Sequence, residues 1–398
     1  MTEGYAGRRL EILARDRARF GAGIVAELPS AIADLGLSSA FIVTDPGVVR
    51  SGVVGRVVGL LRAGDVAVEV LDDIEPNPGT SDIERGTAIL RAFVRASPGA
   101  GSVAVVGLGG GSAMDTAKVI ALDATNRRAV MTLGYHDEAL EPGLPVIAIP
   151  TTAGTGSETN TYGVITDELS GRKGYVGHVS VLPKIAILDP ELTTGLPPGA
   201  TAATGVDALT HSLESLLSAN PNPFAEAIAL GVIRTVGEWL PRAVEDGSDL
   251  EARSRMLLAA HYAGVGQQSG TGVGAVHAIG HSIGARGRVA HGTALATVMP
   301  EVFATYLGVR GRELALVAVA LGVAGPRDPE AAAARVAIDG IHALLRSVGQ
   351  RRTLAEQGLG SQAHDTIAQD ALEDVAINNS PRVPSKSEIL EILAAVAG

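Results

Sequence analysis

The residues best equipped for chemistry lie in two short stretches. In ATGVDALTHSLESLL, Asp207 and His211 are four apart, and in VHAIGHSIGARGRVAHG, His277 and His281 are four apart. On a helix each pair shares one face. His291 follows ten residues after His281, beyond a Gly/Arg-containing loop that can turn back. A carboxylate and imidazoles set in apolar helices need polar partners, and one shared ion satisfies all of them at once. Three imidazoles and a carboxylate without thiolate suit Fe²⁺, Zn²⁺ or Mn²⁺. Asp207, His211 and His277 are therefore candidate ligands, and the spacing leaves the fourth open between His281 and His291. The competing reading is four unrelated core or cap residues. His261 has no partner four away and reads as structural; His136, His178, His342 and His364 are isolated and carry no assigned chemistry.

Two small-residue loops form the second constellation. VAVVGLGGGSAMDTAK is an apolar run, a glycine loop at Gly107, Gly109, Gly110 and Gly111, and the start of a helix that Ser112 can cap. Free N–H groups at such a helix start hold a phosphate. The pattern is neither a Walker loop nor GxGxxG. Asp115 can fix the loop, and Lys118 is equally readable as a solvated surface residue. AIPTTAGTGSE follows the next central strand and offers the Thr151 and Thr152 hydroxyls beside Gly154 and Gly156. Two such loops at carboxyl ends of parallel strands point to a dinucleotide. Asp45 ends the first strand, where a carboxylate can accept from ribose hydroxyls and repel a 2′-phosphate, or simply make an Asx turn before Pro46.

These loops and pairs need a scaffold. Short apolar runs at Ala40–Thr44, VAVEVLDDI, GSVAVVGLG, LPVIAIPTT and KIAILDP alternate with helical segments, which predicts an α/β, Rossmann-like domain over residues 1–190 with a largely parallel sheet covered on both faces. Beyond a Pro-rich hinge, Ala/Leu segments with charges at helical spacing predict an all-α domain over 191–398. Its helices are expected near 200–219, 224–243, 249–266, 272–285, 292–307, 311–323, 329–348, 365–376 and 386–396.

Composition narrows the function. Hydrophobic types make up 46% of the 398 residues, enough for a sizeable core and against disorder. A net charge of −11 argues against a nucleic-acid partner. The absence of Cys excludes disulfides, thiol nucleophiles and zinc-thiolate sites. The opening MTEGYAGRRLEILARDRARF lacks the apolar stretch of a signal peptide, and LALVAVALGVAG is too short to span a bilayer, so a cytoplasmic location with no membrane partner is expected. There is no GxSxG elbow, and Ser157 lacks the setting of a hydrolase nucleophile.

The motifs VTDPG, EPNP, GGGSAMDTAK, IPTTAGTGSE, LDPELTTGLP, ATGVDALTHSLE, VHAIGHSIG…HG and NNSPRVPSKSEILEIL, in this order over nearly the whole chain, resemble the iron-containing (group III) alcohol dehydrogenase family, whose fold is shared with dehydroquinate synthase and glycerol dehydrogenase. The resemblance implies a dehydroquinate synthase-like fold, with nicotinamide and metal meeting in the cleft. It implies Asp207, His211, His277 and His291 as metal ligands and His281 as the non-ligand histidine beside nicotinamide and substrate. Gly109, Gly110, Gly111 and Ser112 resemble the pyrophosphate loop, and Thr151 and Thr152 the loop beside the cofactor. Asp115 is grouped with them, and Lys173 and Leu192 are further implied contacts. Asp45 matches the position of an acid associated with NAD rather than NADP. Iron is the expected metal, with zinc as the alternative.

The implied activity is reversible hydride transfer between a nicotinamide and a small primary alcohol or its aldehyde. A homodimer or higher homo-oligomer is expected. Where such chains carry an aromatic and an Asn before the third ligand, this one reads GQQSGTGVG, with Gln268 and Gly270; the loop before His291 reads ARGRVAHG. These departures, with Asn160, Thr161 and Tyr162, suggest a second polar or acidic group on the substrate, contacted by Gln268 and by Arg286 or Arg288, against a permissive pocket in which Gln268 meets water. The alternatives are a hydroxyacid–oxoacid transhydrogenase, an acidic-aldehyde reductase, and a dehydroquinate synthase-like lyase.

Overall fold

Near-continuous apolar runs become the strands of a six-stranded parallel sheet because successive residues face opposite sides, and both sides are covered. A computed structural model describes residues 17–97, 102–134, 137 and 140–398; residues 1–16 of the lead-in and His136 lie outside these. The strands are β1 Ala18–Phe20, β2 Ser39–Val43, β3 Ala67–Leu71, β4 Val103–Gly109, β5 Val146–Pro150 and β8 Ile185–Leu188, in the order β1-β8-β5-β4-β2-β3. Phe41, Val43, Val103, Val105 and Val146 pack into one core, and Ala40, Ile42, Ala104, Val106, Ile147 and Ile149 into the other. Helices α1 Leu28–Asp34, α2 Pro46–Arg50, α3 Val53–Ala63, α4 Thr80–Ala96 and α5 Gly111–Asp123 connect the strands.

The hairpin β6 Tyr162–Asp167 and β7 Arg172–Gly177 is antiparallel, with Thr166 opposite Lys173, and is absent from the sequence expectation. So is β1, whose three residues pair only with β8.

The remaining helices are α6 Pro198–Leu217, α7 Pro223–Glu245, α8 Leu250–Gln267, α9 Ala275–Gly287, α10 His291–Ala304, α11 Gly311–Ala320, α12 Glu330–Ser347, α13 His364–Glu373 and α14 Lys386–Ala395. They follow the predicted segments within a few residues. Two compact units result. One holds the sheet, up to Thr201, together with Glu245–Gly264; the other holds Ala202–Val244 and Val265–Gly398. Leu257 of α8 belongs with the sheet because it buries against Ala186 and Leu188. No helix among the described residues is long and apolar enough to cross a membrane.

Candidate functional site

In the helical unit, α6 places Asp207 and His211 on one buried face, and α9 does the same for His277. Ligand-capable atoms of these three residues all lie within 4.8 Å of one another. Asp207 Oδ1 stands 3.6 Å from Nε2 of His211, of His277 and of His291. That is too long for a hydrogen bond. It matches the separation of roughly 3.6 Å expected between two ligands each about 2.2 Å from one tetrahedral ion. Asp207 Oδ1 and His277 Nε2 are buried without a hydrogen-bond partner. Such atoms carry a desolvation penalty that a cation would remove, so the donor set fits a divalent metal. His291 is the first residue of α10 and stands at the rim, its side chain 36% exposed.

The electrostatics agree. Burial opposes ionisation of Asp207, but the imidazoles of His211, His291 and His277 outweigh it and hold its carboxyl well below the usual range. Burial likewise opposes charge on His277, and the carboxylates of Glu214 and Asp207 overcome it, pushing the imidazole up to about 9. What these carboxylates favour at His277 is a positive charge, whether proton or metal.

His281 is set apart from this group. Its Nδ1 is 2.7 Å from Asp374 Oδ2, while Asp374 Oδ1 accepts from the Ala376 N–H. Its ring stacks on His291 with centroids 5.4 Å apart. One turn earlier on α13, Asp370 accepts from Ser282 Oγ at 2.8 Å and pairs with Arg286 at 2.6 Å. Two aspartates four apart thus hold α9 against α13. Asp370, Asp374 and Glu214 were all missed from sequence: their partners lie 84 to 93 and 63 residues away, and no local spacing marks them.

Arg286 therefore lies in the last turn of α9, not in the loop expected before His291, and is tied to Asp370, while Arg288 is the left-handed residue (φ 51°) that ends the helix. Gly270 sits at φ 89° with no atom within 4 Å of a Cβ there. Asn tolerates that conformation better than other side chains, so the Gly-for-Asn exchange keeps the turn rather than reshaping a wall. Gln268 is half-buried in the same turn.

In the sheet unit, the glycine loop leaves β4 at Gly109, φ 153°, where a Cβ would stand 2.8 Å from the Ala113 Cβ and 3.1 Å from Asp45 Oδ2. Gly110 is the N-cap of α5 and no side chain caps it. Ser112 is therefore not the cap expected from sequence: it lies inside the first turn, because Gly111 already takes helical conformation. The uncapped first-turn N–H groups are a ready anion site. Beside them, Thr152 packs against the Gly110 position (its Cγ2 lies 3.4 Å from a Cβ there), and its Oγ1 is buried without a partner. Thr151 is buried at the end of β5 and its N–H donates to Gly109 O. An orphaned hydroxyl over an uncapped helix start fits a dinucleotide phosphate. Asp45 Oδ1 accepts from the N–H groups of Gly47 and Val48, the Asx-type cap of α2, which leaves Oδ2 toward Gly109.

Lys118 is fully buried, not solvated. Its Nζ is 3.1 Å from Asp115 Oδ1 and donates to Ser157 O at 2.9 Å and to Asn160 Oδ1. Asp115 also accepts from Ser157 Oγ and the Val164 N–H. The pair ties the glycine-loop helix to the Thr/Gly loop and β6, which places Asn160 in the framework. His261 pairs with buried Glu158 at 3.2 Å, a structural role. Leu192 is packed in the apolar core below the sheet, and Lys173 is exposed on β7.

Residues 16–190 match the family described as iron-containing alcohol dehydrogenase, and residues 201–397 match the Fe-containing alcohol dehydrogenase family, C-terminal. The chain is 37% identical over 360 residues to a probable alcohol dehydrogenase, EutG, of Salmonella typhimurium, covering 90% of this chain and 88% of that one. An NAD-dependent methanol dehydrogenase of Bacillus methanolicus is 34% identical over 94% of this chain and 96% of its own. A solved structure of 1,3-propanediol oxidoreductase superposes with a TM-score of 0.92 at 30% identity, covering 98% of this chain and 100% of the other. The fold, dehydroquinate synthase-like, and the donor set thus define a metal-dependent oxidoreductase that interconverts alcohols and aldehydes. The chain belongs to the iron-containing alcohol dehydrogenase family, which carries with it use of a metal and of NAD(H).

Proposed function

We propose that the chain is an NAD-preferring, iron-dependent alcohol dehydrogenase and aldehyde reductase whose substrate is a small primary alcohol, or its aldehyde, bearing a second polar group. The carrying observation is the orphaned Asp207 Oδ1 with three imidazole Nε2 atoms each 3.6 Å away. Asp207, His211, His277 and His291 hold the metal. When bound, metal and nicotinamide supply Lewis acidity and a hydride carrier. The chain supplies position and proton management. Asp374 takes the Nδ1 side of His281, which leaves Nε2 to exchange the hydroxyl proton. Gly109–Ser112, with Thr151 and Thr152, receives the pyrophosphate, and Asp115 with Lys118 fixes that loop. Lys173 and Leu192 remain cofactor-side positions on the family resemblance alone. Oδ2 of Asp45, beside Gly109, supports NAD over NADP by repelling a 2′-phosphate. The NAD-dependent methanol dehydrogenase among the relatives supports the same preference, and the propanediol oxidoreductase supports a second polar group on the substrate.

The test is a cofactor absorbance assay with butanol, a diol of equal length and the matching hydroxyacid, on protein purified without oxygen and analysed for metal. Turnover of the diol above butanol, lowered by Gln268→Phe, is expected. No substrate-dependent change in the cofactor, or a ranking with butanol first that Gln268→Phe leaves unchanged, overturns the substrate reading. Full metal content and activity in His277→Ala overturns the site.

A further inference from the structure

Helix α9 begins without a cap of its own. Gly274 is its N-cap and carries no side chain to accept the first N–H groups. A carboxylate arrives instead from α6. Glu214 Oε1 accepts from the Val276 N–H at 2.7 Å and lies 3.4 Å from the His277 N. Its Oε2 is 2.6 Å from His277 Nδ1. Glu214 is 5% exposed and His277 2%, so water does not share these contacts. Glu214 follows Asp207 by two helical turns, so α6 delivers both carboxylates along one side. The fit is close: a Cβ at position 274 would stand 3.2 Å from Glu214 Oε1 and 3.1 Å from Ser380 Oγ.

An ionised carboxylate only accepts hydrogen bonds. Glu214 meets a donor on each oxygen, the Val276 N–H at Oε1 and the His277 ring at Oε2, as an acceptor-only group does. A neutral His277 must then carry its proton on Nδ1, which leaves the Nε2 lone pair beside Asp207 Oδ1. We propose that Glu214 is a positioning residue for the metal centre, capping α9 across the helix pair and fixing His277 as the tautomer whose Nε2 can ligate. The inference rests on the metal reading of Asp207, His211 and His277.

Glu214→Gln separates tautomer from shape. Its amide oxygen can still accept from Val276, but its NH₂ then faces His277 Nδ1, which must become the acceptor and move the proton to Nε2. The test is Co²⁺ affinity by chelator competition on the metal-free full chain, with the Co²⁺ absorption spectrum and the thermal midpoint of the metal-free protein. Glu214→Gln is expected to lose on the order of 10–100-fold in affinity, to alter the Co²⁺ bands and to lower its metal-free midpoint, because the buried pair of Glu214 with His277 is broken. Glu214→Asp, which keeps an acceptor-only carboxylate on a shorter arm, is expected to retain more affinity than Glu214→Gln, and this comparison decides the matter even if both variants lose stability. Wild-type affinity in Glu214→Gln, or higher affinity in Glu214→Gln than in Glu214→Asp, overturns the proposal while leaving the metal site standing. Failure of the wild-type protein to bind Co²⁺ overturns the metal reading itself, and this proposal with it.

Discussion

Gly292, directly after His291, offers the sharpest test of how tightly the helical unit holds its donor set. A Cβ there would lie 1.8 Å from the Ala203 carbonyl oxygen, 2.6 Å from its carbon and 3.2 Å from the Ala203 Cα. An ordinary C···O contact is about 3.3 Å, so α10 and α6 must part by roughly 1.5 Å to admit one methyl group. The obstacle is backbone, not the swinging end of a side chain. By α-helix geometry the Ala203 carbonyl is also the acceptor for the Asp207 N–H, so the strain reaches two candidate ligands, Asp207 and His291, together. Gly→Ala in a helix would ordinarily gain about 0.5–1 kcal/mol. Overpacking against a rigid neighbour costs about 1–3 kcal/mol and sometimes more, so Gly292→Ala is expected to be a net loss of about 1–2 kcal/mol, the upper part of the range being favoured by a backbone obstacle. Misplacement of reacting groups by 1 Å costs about 10²-fold in rate. Gly231, exposed within α7 with no atom within 4 Å of a Cβ, is the control and is expected to gain stability as Ala. Urea unfolding of the metal-free variants, with metal content and kcat/KM, reads both effects. If Gly292→Ala matches or exceeds wild-type stability and retains its metal, the close helix contact has been misread.

Three further outcomes are expected. Asp45→Ser keeps a side-chain cap for α2 but removes the charge beside Gly109; the ratio of kcat/KM for NAD to that for NADP should fall at least tenfold, and an unchanged ratio refutes the repulsion argument. Lys118→Met leaves the Asp115 carboxylate without its buried cation, for which a loss of about 3–5 kcal/mol is expected; a loss under about 1 kcal/mol in urea titration would show that the remaining donors to Asp115 suffice. Asp374→Asn should lower kcat by about 10²-fold with metal content intact, since it touches His281 and not the four candidate ligands; loss of metal, or kcat within twofold of wild type, contradicts the separate roles given to His281 and His291.

What the chain's own sequence determined is whatever depends on local period and local chemistry. The near-continuous apolar runs of β2, β4, β5 and β8 announce strands covered on both faces, and Asp207 with His211 or His277 with His281 announce shared helical faces, because four residues are nearly one turn. The glycine loop is legible for the same reason: only Gly accepts the backbone of position 109. Tertiary structure decided the rest. β1 is three residues, AlaArgPhe, whose only reason to be a strand is pairing with β8, and the β6–β7 hairpin exists through its mutual register. Lys118 and Asp115 are three apart, a spacing equally good for a wet surface or a buried crosslink, and the packing of the Thr/Gly loop made it the latter. His277 and His281 are alike in type and share one helix face. What divides them is which acid each meets, Glu214 of α6 or Asp374 beyond α13. Those partners are distant in sequence and close only once helices pack, and a carboxylate's hold on an imidazole depends on ångströms that no local spacing encodes.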